Sequence, residues 1–157
     1  MTDTICPTNI EVGHNSHDGS SMRARKRVHY EIMYTEFIKE LHKNSIHLSP
    51  INEHDPNFYI DNEIIIAYCG HEPVGFVRFY CFDAEISTIN IKNLYVRESY
   101  RNLGYAKWLI DAVECIGRYS GCKRVTLGSY LSNTSALALY KSVGFTEHYV
   151  SMHKKLE

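Results

Sequence analysis

The chain has 157 residues, 44% of them apolar, and a formal net charge of -1 at pH 7. That length and composition suit one domain, residues 1–157, with a buried core of its own. A charge so near zero excludes a global field drawing the protein to nucleic acid or to a membrane surface.

No apolar stretch approaches the ~18 residues of a membrane helix. The opening MTDTICPTNIEV has no basic segment followed by an apolar run, so it does not read as a signal peptide. Five cysteines are scattered without a CxxC pair, and an odd count precludes a complete disulfide framework within one chain. A reducing, cytoplasmic setting is the simplest expectation.

Residues 1–20 read as a strand, Ile5 to Val12, plus a flexible loop, since GHNSHDGSS is rich in turn formers. Ser21 to Lys43 reads as a helix, with Val28, Ile32, Phe37, Ile38 and Leu41 at roughly helical spacing. NSIHLSPINEHDPNFYIDN, broken by Pro50 and Pro56, reads as a long loop. IIIAY and VGFVRFYCF flank CGHEP and predict a β-hairpin. ISTINIKNLYV reads as a strand whose alternation slips between Ile91 and Leu94, which predicts a bulge near Asn93.

A helix over about 104–119 follows, with Ala106, Leu109, Ile110, Val113 and Ile116 on one face and Gly121 as a stop. KRVTLGS is a short strand with Val125 and Leu127 inward. SNTSALALYKSVGF is a helix capped by Ser132 and ended by Gly144. HYVSMHKKL is expected to close the chain as a strand. Elements mixed in this order suggest an α/β sandwich around a mixed sheet.

The junction VRESYRNLGYA carries the chemistry. A helix N-terminus presents free N–H groups and a partial positive charge, a ready site for an anion. Gly104 lets the backbone approach closely, Ala106 keeps the next turn small, and Arg101 adds a full charge. Together they describe a pyrophosphate cradle, although a plain glycine turn beside an exposed arginine fits the same residues. The pattern is neither GxGxxG nor a P-loop.

Arg101-x-x-Gly104-x-Ala106, preceded by LYV and followed by an amphipathic helix, resembles the acetyl-CoA motif of the GCN5-related N-acetyltransferase (GNAT) superfamily. Asn133-x-x-Ala136-x-x-x-Tyr140-x-x-x-Gly144-Phe145 is similar to that family's later motif. The two stand in the family's order with a strand between them. The resemblance runs from about Ile64 to Leu156, whereas residues 1–63 match only in element order.

The resemblance implies a GNAT-type α/β fold, with a mixed, partly splayed central sheet flanked by helices. It implies acetyl-CoA as cosubstrate and transfer of acetyl to a primary amine by direct attack in a ternary complex. Leu94, Tyr95 and Val96 would bond the pantetheine arm and polarise the acetyl carbonyl. The backbone N–H groups of Asn102, Leu103, Gly104, Tyr105, Ala106 and Lys107, with the Arg101 side chain, would hold the pyrophosphate. Asn133 would contact the cofactor, and Tyr140 would protonate the departing thiolate. A homodimer is the family's common habit.

Many family members carry an acid on the strand before the cradle. Here Asn90, Lys92 and Asn93 stand in its place. Glu85, His71 or a water held by Asn90 or Asn93 are substitutes for the base. Lys92, if it faces the acceptor cleft, would disfavour a polycationic acceptor; a solvated lysine at a strand edge is the plainer reading.

A small-molecule acceptor is favoured. A protein or peptide acceptor, or an acetyl-CoA-binding regulatory module without turnover, are the alternatives. A nucleotide-binding α/β module of another family would explain the anion turn but not the second motif.

The remaining features carry less. His14 and His17 form an HxxH with no cysteine near in sequence, too few ligands for a metal site. The basic run from Arg23 to Arg27 reads as a solvated helix face. Tyr68, Phe76, Phe79 and Tyr80 read as core, Trp108 as a packing residue, and Cys115 and Cys122 as small buried side chains.

Overall fold

The computed structural model describes residues 10–12, 20–43, 63–81, 87–152 and 154. Strands β1 (Ile10–Val12), β2 (Glu63–Cys69), β3 (Glu72–Cys81), β4 (Thr88–Val96) and β5 (Arg124–Leu127) form one sheet in the order β1-β2-β3-β4-β5. All neighbours run antiparallel except β4 and β5, which are parallel. A parallel pair needs a crossover, and helix α2 (Tyr105–Tyr119) supplies it. Helix α1 (Ser20–Lys43) precedes the hairpin of β2 and β3, and α3 (Thr134–Ser142) follows β5.

Strand alternation divides the core into two layers. Ile65, Ala67, Val77, Phe79, Ile89 and Ile91 face α2 and pack on its Leu109, Ile110 and Val113. Each of those three helix residues is fully buried, worth roughly 1.5–3 kcal/mol apiece. Ile66, Tyr68, Phe76 and Tyr95 face the other way and pack on Tyr30, Met33 and Tyr34 of α1. The result is the expected mixed sheet flanked by helices.

The predicted hairpin and the bulge are both present. Arg78 pairs with Asn93 and the adjacent Phe79 pairs with Ile91, so Lys92 is the extra residue. Gly75 fits because β4 comes so close: a Cβ there would stand 2.7 Å from the Tyr95 carbonyl oxygen.

Four expectations are corrected. Val28 and Ile32 are 52% and 49% exposed. The buried stripe of α1 is Tyr30, Met33 and Tyr34, with the expected Phe37 and Ile38 packed partly buried against the same layer, because tyrosine rings supply the apolar contact while their hydroxyls count as polar in a periodicity. The cap of α3 is Asn133, one residue later than Ser132; its side-chain oxygen accepts from the Ala136 N–H at 3.3 Å. Cys115 is exposed on α2, whereas Cys122 is half-buried against the core.

The fourth correction concerns the chain's end. Residues 148–152 and 154 form no strand, and Tyr149 and Met152 are 79% and 89% exposed. Alternating polarity stabilises a strand only where a neighbour takes its N–H and C=O groups, and no described strand adjoins the outer side of β5. Residues 13–19 and 44–62 of the predicted loops, and residues 5–9 of the predicted first strand, lie outside the described residues.

Candidate active site

The site begins where the sheet divides. β5 pairs with β4 only over Thr88–Ile91. β4 then runs on to Val96 along β3 alone, with Leu94 opposite Val77 and Val96 opposite Gly75. The Arg97 N–H donates to the Val74 carbonyl at 2.9 Å, which fixes the phase of the ladder. In an antiparallel pair the peptide groups of alternate residues point toward and away from the partner. Those of Leu94 and Val96 therefore point away from β3, into the wedge left by β5.

The wedge opens into a cavity of about 650 Å³. Its lining includes Leu94, Tyr95 and Val96, then Arg101, Asn102 and Gly104 to Lys107 of the turn, and Asn133 and Tyr140 of the α3 region. Of the residues expected at the cofactor, only Leu103 stands apart, 56% exposed and outside this lining. The structure thus brings together segments 94–107 and 133–140, which the sequence separates by a helix and a strand.

The turn between β4 and α2 is built for an unprotected helix start. A 3-10 turn, Glu98–Tyr100, leads to Asn102 at φ 61° and Gly104 at φ 88°. Both lie in the left-handed region, which glycine enters without penalty and asparagine tolerates. Gly104 occupies the cap position, so no side chain closes the helix, and the first turn holds no acidic residue. The first helical bond runs from the Trp108 N–H to the Gly104 carbonyl at 3.0 Å. The N–H groups of Tyr105, Ala106 and Lys107 therefore have no acceptor within the helix. The Tyr105 ring itself is buried in the core, where burial and then a bond with Cys69 push its phenol up to about 12.

Tyr140 comes from α3. Its ring lies edge-on to Phe145, centroids 5.9 Å apart, and burial pushes its phenol above the usual value. A phenol so raised keeps its proton at neutral pH.

The opposite wall was not legible from the motifs. Phe37, Glu40 and Leu41 of α1 line the same cavity, and α1 is tied to the turn by two arginines. Arg97 grips Glu36 with both arms of its guanidinium, at 2.9 and 3.0 Å, and reaches the Pro73 carbonyl at 2.8 Å. Arg101 donates through Nη2 to both oxygens of Glu40, at 2.8 and 2.7 Å, and through Nε to the Val96 carbonyl at 2.9 Å. The bond to the glutamate pushes each guanidinium further up. Arg101 thus lines the cavity with its guanidinium already engaged. One signal was available: Glu36 and Glu40 repeat at one helical turn, and Arg97 and Arg101 repeat at the same spacing.

The candidate bases lie apart from this constellation. Asn90 donates to Thr126 Oγ1 at 2.9 Å. Lys92 is exposed, with Nζ 4.8 Å from the Tyr80 ring centroid, and does not line the cavity. His71 is exposed in the turn between β2 and β3. Asn93 Oδ1 is buried with no hydrogen-bond partner. Glu85 lies outside the described residues, as do His14 and His17. Among the described residues no cluster of three histidine, cysteine or acidic side chains could hold a metal, and no helix is long and apolar enough to cross a membrane.

The model of the acetyltransferase (GNAT) domain matches residues 61–147, more than half of the chain. The chain belongs to the GNAT acetyltransferase family.

Among its relatives is the uncharacterised N-acetyltransferase YycN of Bacillus subtilis, 39% identical over 59 residues, 38% of each chain. Another is the thialysine N-epsilon-acetyltransferase of Caenorhabditis elegans, 29% identical over 91 residues, 55% of this chain and 57% of that one. The chain spans 19% to 57% of the length of the curated relatives it matches. An aminoglycoside acetyltransferase from a soil metagenome, solved in complex with sisomicin, superposes with a TM-score of 0.68 at 19% identity. That match covers 95% of this chain and 96% of the other. At that identity the likeness is one of fold.

Proposed function

We propose that this chain transfers acetyl from acetyl-CoA to a primary amine of a small molecule, by direct attack in a ternary complex. One observation carries the reading. The open edge of β4, the uncapped start of α2 and the half-buried Tyr140 phenol share one cavity.

The residues present fit the cosubstrate. The N–H groups of Asn102 and of Gly104 to Lys107 suit a pyrophosphate, since an uncapped helix start without acidic neighbours attracts an anion. The open peptide groups of Leu94 and Val96 suit the amides of a pantetheine arm. Asn133, at the cavity wall, suits a contact with the same ligand. When bound, acetyl-CoA supplies an activated acyl group as a thioester.

The chain's own groups do the rest. The Leu94 N–H, turned into the wedge, would face the thioester carbonyl and stabilise negative charge growing on that oxygen, usually the largest contribution in acyl transfer. The amine nitrogen forms the new C–N bond, and the C–S bond breaks. Tyr140 gives its proton to the departing sulfur and is reprotonated from solvent. With no carboxylate at Asn90, Lys92 or Asn93, the amine loses its proton to water.

A small acceptor is supported by the sisomicin complex of the structural neighbour and by the small amine in the name of the nematode relative. The cavity volume also lies in the range of small-molecule sites, ~300–1,000 Å³.

The test is thiol release from acetyl-CoA against polyamines, aminoglycosides, amino acids and alanine-terminated peptides, with Tyr140→Phe alongside. Release with one class of small amine, lowered about 100-fold or more in the variant, is expected. Release with peptides alone would reassign the acceptor. Binding without release for any amine would indicate a regulatory module.

A further inference from the structure

The Arg101 guanidinium stands at the mouth of an anion site, yet it is held by a carboxylate and a carbonyl. Two features make this more than a surface ion pair. First, the Val96 carbonyl belongs to the open edge of β4, so Arg101 closes one of the four peptide groups that Leu94 and Val96 turn into the wedge. Second, Glu40 is the one carboxylate lining the cavity among the described residues. A lone carboxylate there would repel a polyanionic ligand, and the guanidinium neutralises it.

The contact also fixes α1. That helix packs on the sheet through aromatic and aliphatic side chains, Tyr30, Met33, Tyr34 and Phe37 on Phe76 and Tyr95. Such contacts are non-directional and tolerate sliding. Two arginine–glutamate pairs one helical turn apart do not, because a forked guanidinium accepts few geometries. The first pair, Glu36–Arg97, lies outside the cavity lining, and the second, Glu40–Arg101, lies within it. Slippage of α1 would carry Phe37 and Leu41 along the cavity wall.

We propose that Arg101 is a positioning residue of the cofactor site. With Arg97 it clamps α1 against the end of β4, and it serves the ligand through Glu40 and the Val96 carbonyl rather than by touching the pyrophosphate. The inference rests on the reading of the cavity as an acetyl-CoA site. Calorimetric titration of the wild-type chain with CoA tests that reading first, since no binding there defeats the site itself.

Given binding, the variants decide the clamp, each with its melting temperature recorded. Glu40→Gln and Arg101→Gln should each weaken CoA about 3- to 10-fold, and the double variant should be no worse than either single one. Arg97→Gln should weaken CoA to a similar degree although it lies off the cavity. The charge swap, Glu40→Arg with Arg101→Glu, should recover affinity to within about threefold of wild type.

A direct phosphate contact predicts other signs. Glu40→Gln would then tighten CoA, Arg101→Gln would weaken it ~30-fold or more, and the swap would be worse than either single change. That result overturns the proposal, as does a set of variants that all bind like wild type. If Arg101→Gln does not fold, Glu40→Gln alone still separates the accounts by the direction of its effect.

Discussion

Two helices begin at the wall of the same cavity, and they begin differently. α3 starts at Asn133, whose side-chain oxygen takes the Ala136 N–H and closes the end. α2 starts at Gly104, in a left-handed conformation, with no side chain over its first turn. A helix start that satisfies its own donors has little left for a ligand. One that leaves Tyr105, Ala106 and Lys107 open has both the donors and the dipole to hold an anion. On the proposed reading, this contrast favours α2 as the place for the pyrophosphate and leaves α3 to carry Tyr140.

The largest expected effect comes from spoiling the open start. Lys107→Asp replaces a cation in the first turn of α2 by an acid, and should weaken CoA about 10- to 100-fold in a calorimetric titration. Thr134→Asp, the matching change in the first turn of α3, should leave CoA affinity within about threefold and should not lower the melting temperature. Equal losses from the two would erase the distinction.

Gly104→Ala comes next. No atom stands within 4 Å of the added Cβ, so the cost is the left-handed backbone itself, about 1–2 kcal/mol. It should show as a shifted denaturation midpoint with an unchanged slope. Asn133→Ala should cost about 1 kcal/mol through the lost cap, and Asn133→Ser should recover most of it.

The smallest effect is in pH. Burial raises the Tyr140 phenol and carries Tyr105 to about 12. A raised phenol binds its proton more tightly folded than unfolded. Its contribution to stability is therefore fully present below pH ~10 and is lost as pH climbs through the folded value. Turnover should hold or rise up to about pH 9, as more of the amine is neutral, and fall only above 10. A decline that begins near pH 8 would show that Tyr140 is not the proton donor.

The segment from Ile64 to Gly144 was largely legible in sequence, for local reasons. Alternation marked the hairpin, a slip in alternation marked the bulge at Lys92, and glycines marked the left-handed turns at 104 and 144. The face of α1 was legible in part: Phe37 and Ile38 pack as expected, whereas Val28 and Ile32 are exposed and the tyrosines Tyr30 and Tyr34, whose hydroxyls mask their apolar rings in a periodicity, are buried. The α1 wall of the cavity was hidden for another reason. Glu40 and Arg101 lie 61 positions apart, and no local pattern connects them. The closing strand was misread because alternation reports a capacity for strand, and whether a neighbour is at hand is decided by the rest of the fold.

The most direct test is amide hydrogen exchange with and without CoA, with ATP and NAD as controls. The account predicts that Leu94, Val96 and the amides of residues 105–107 gain protection with CoA and much less with ATP or NAD, while the capped Ala136 amide does not change. Protection at Ala136 without any at residues 105–107, or equal protection by all three ligands, would contradict the assignment of this wedge as an acetyl-CoA site.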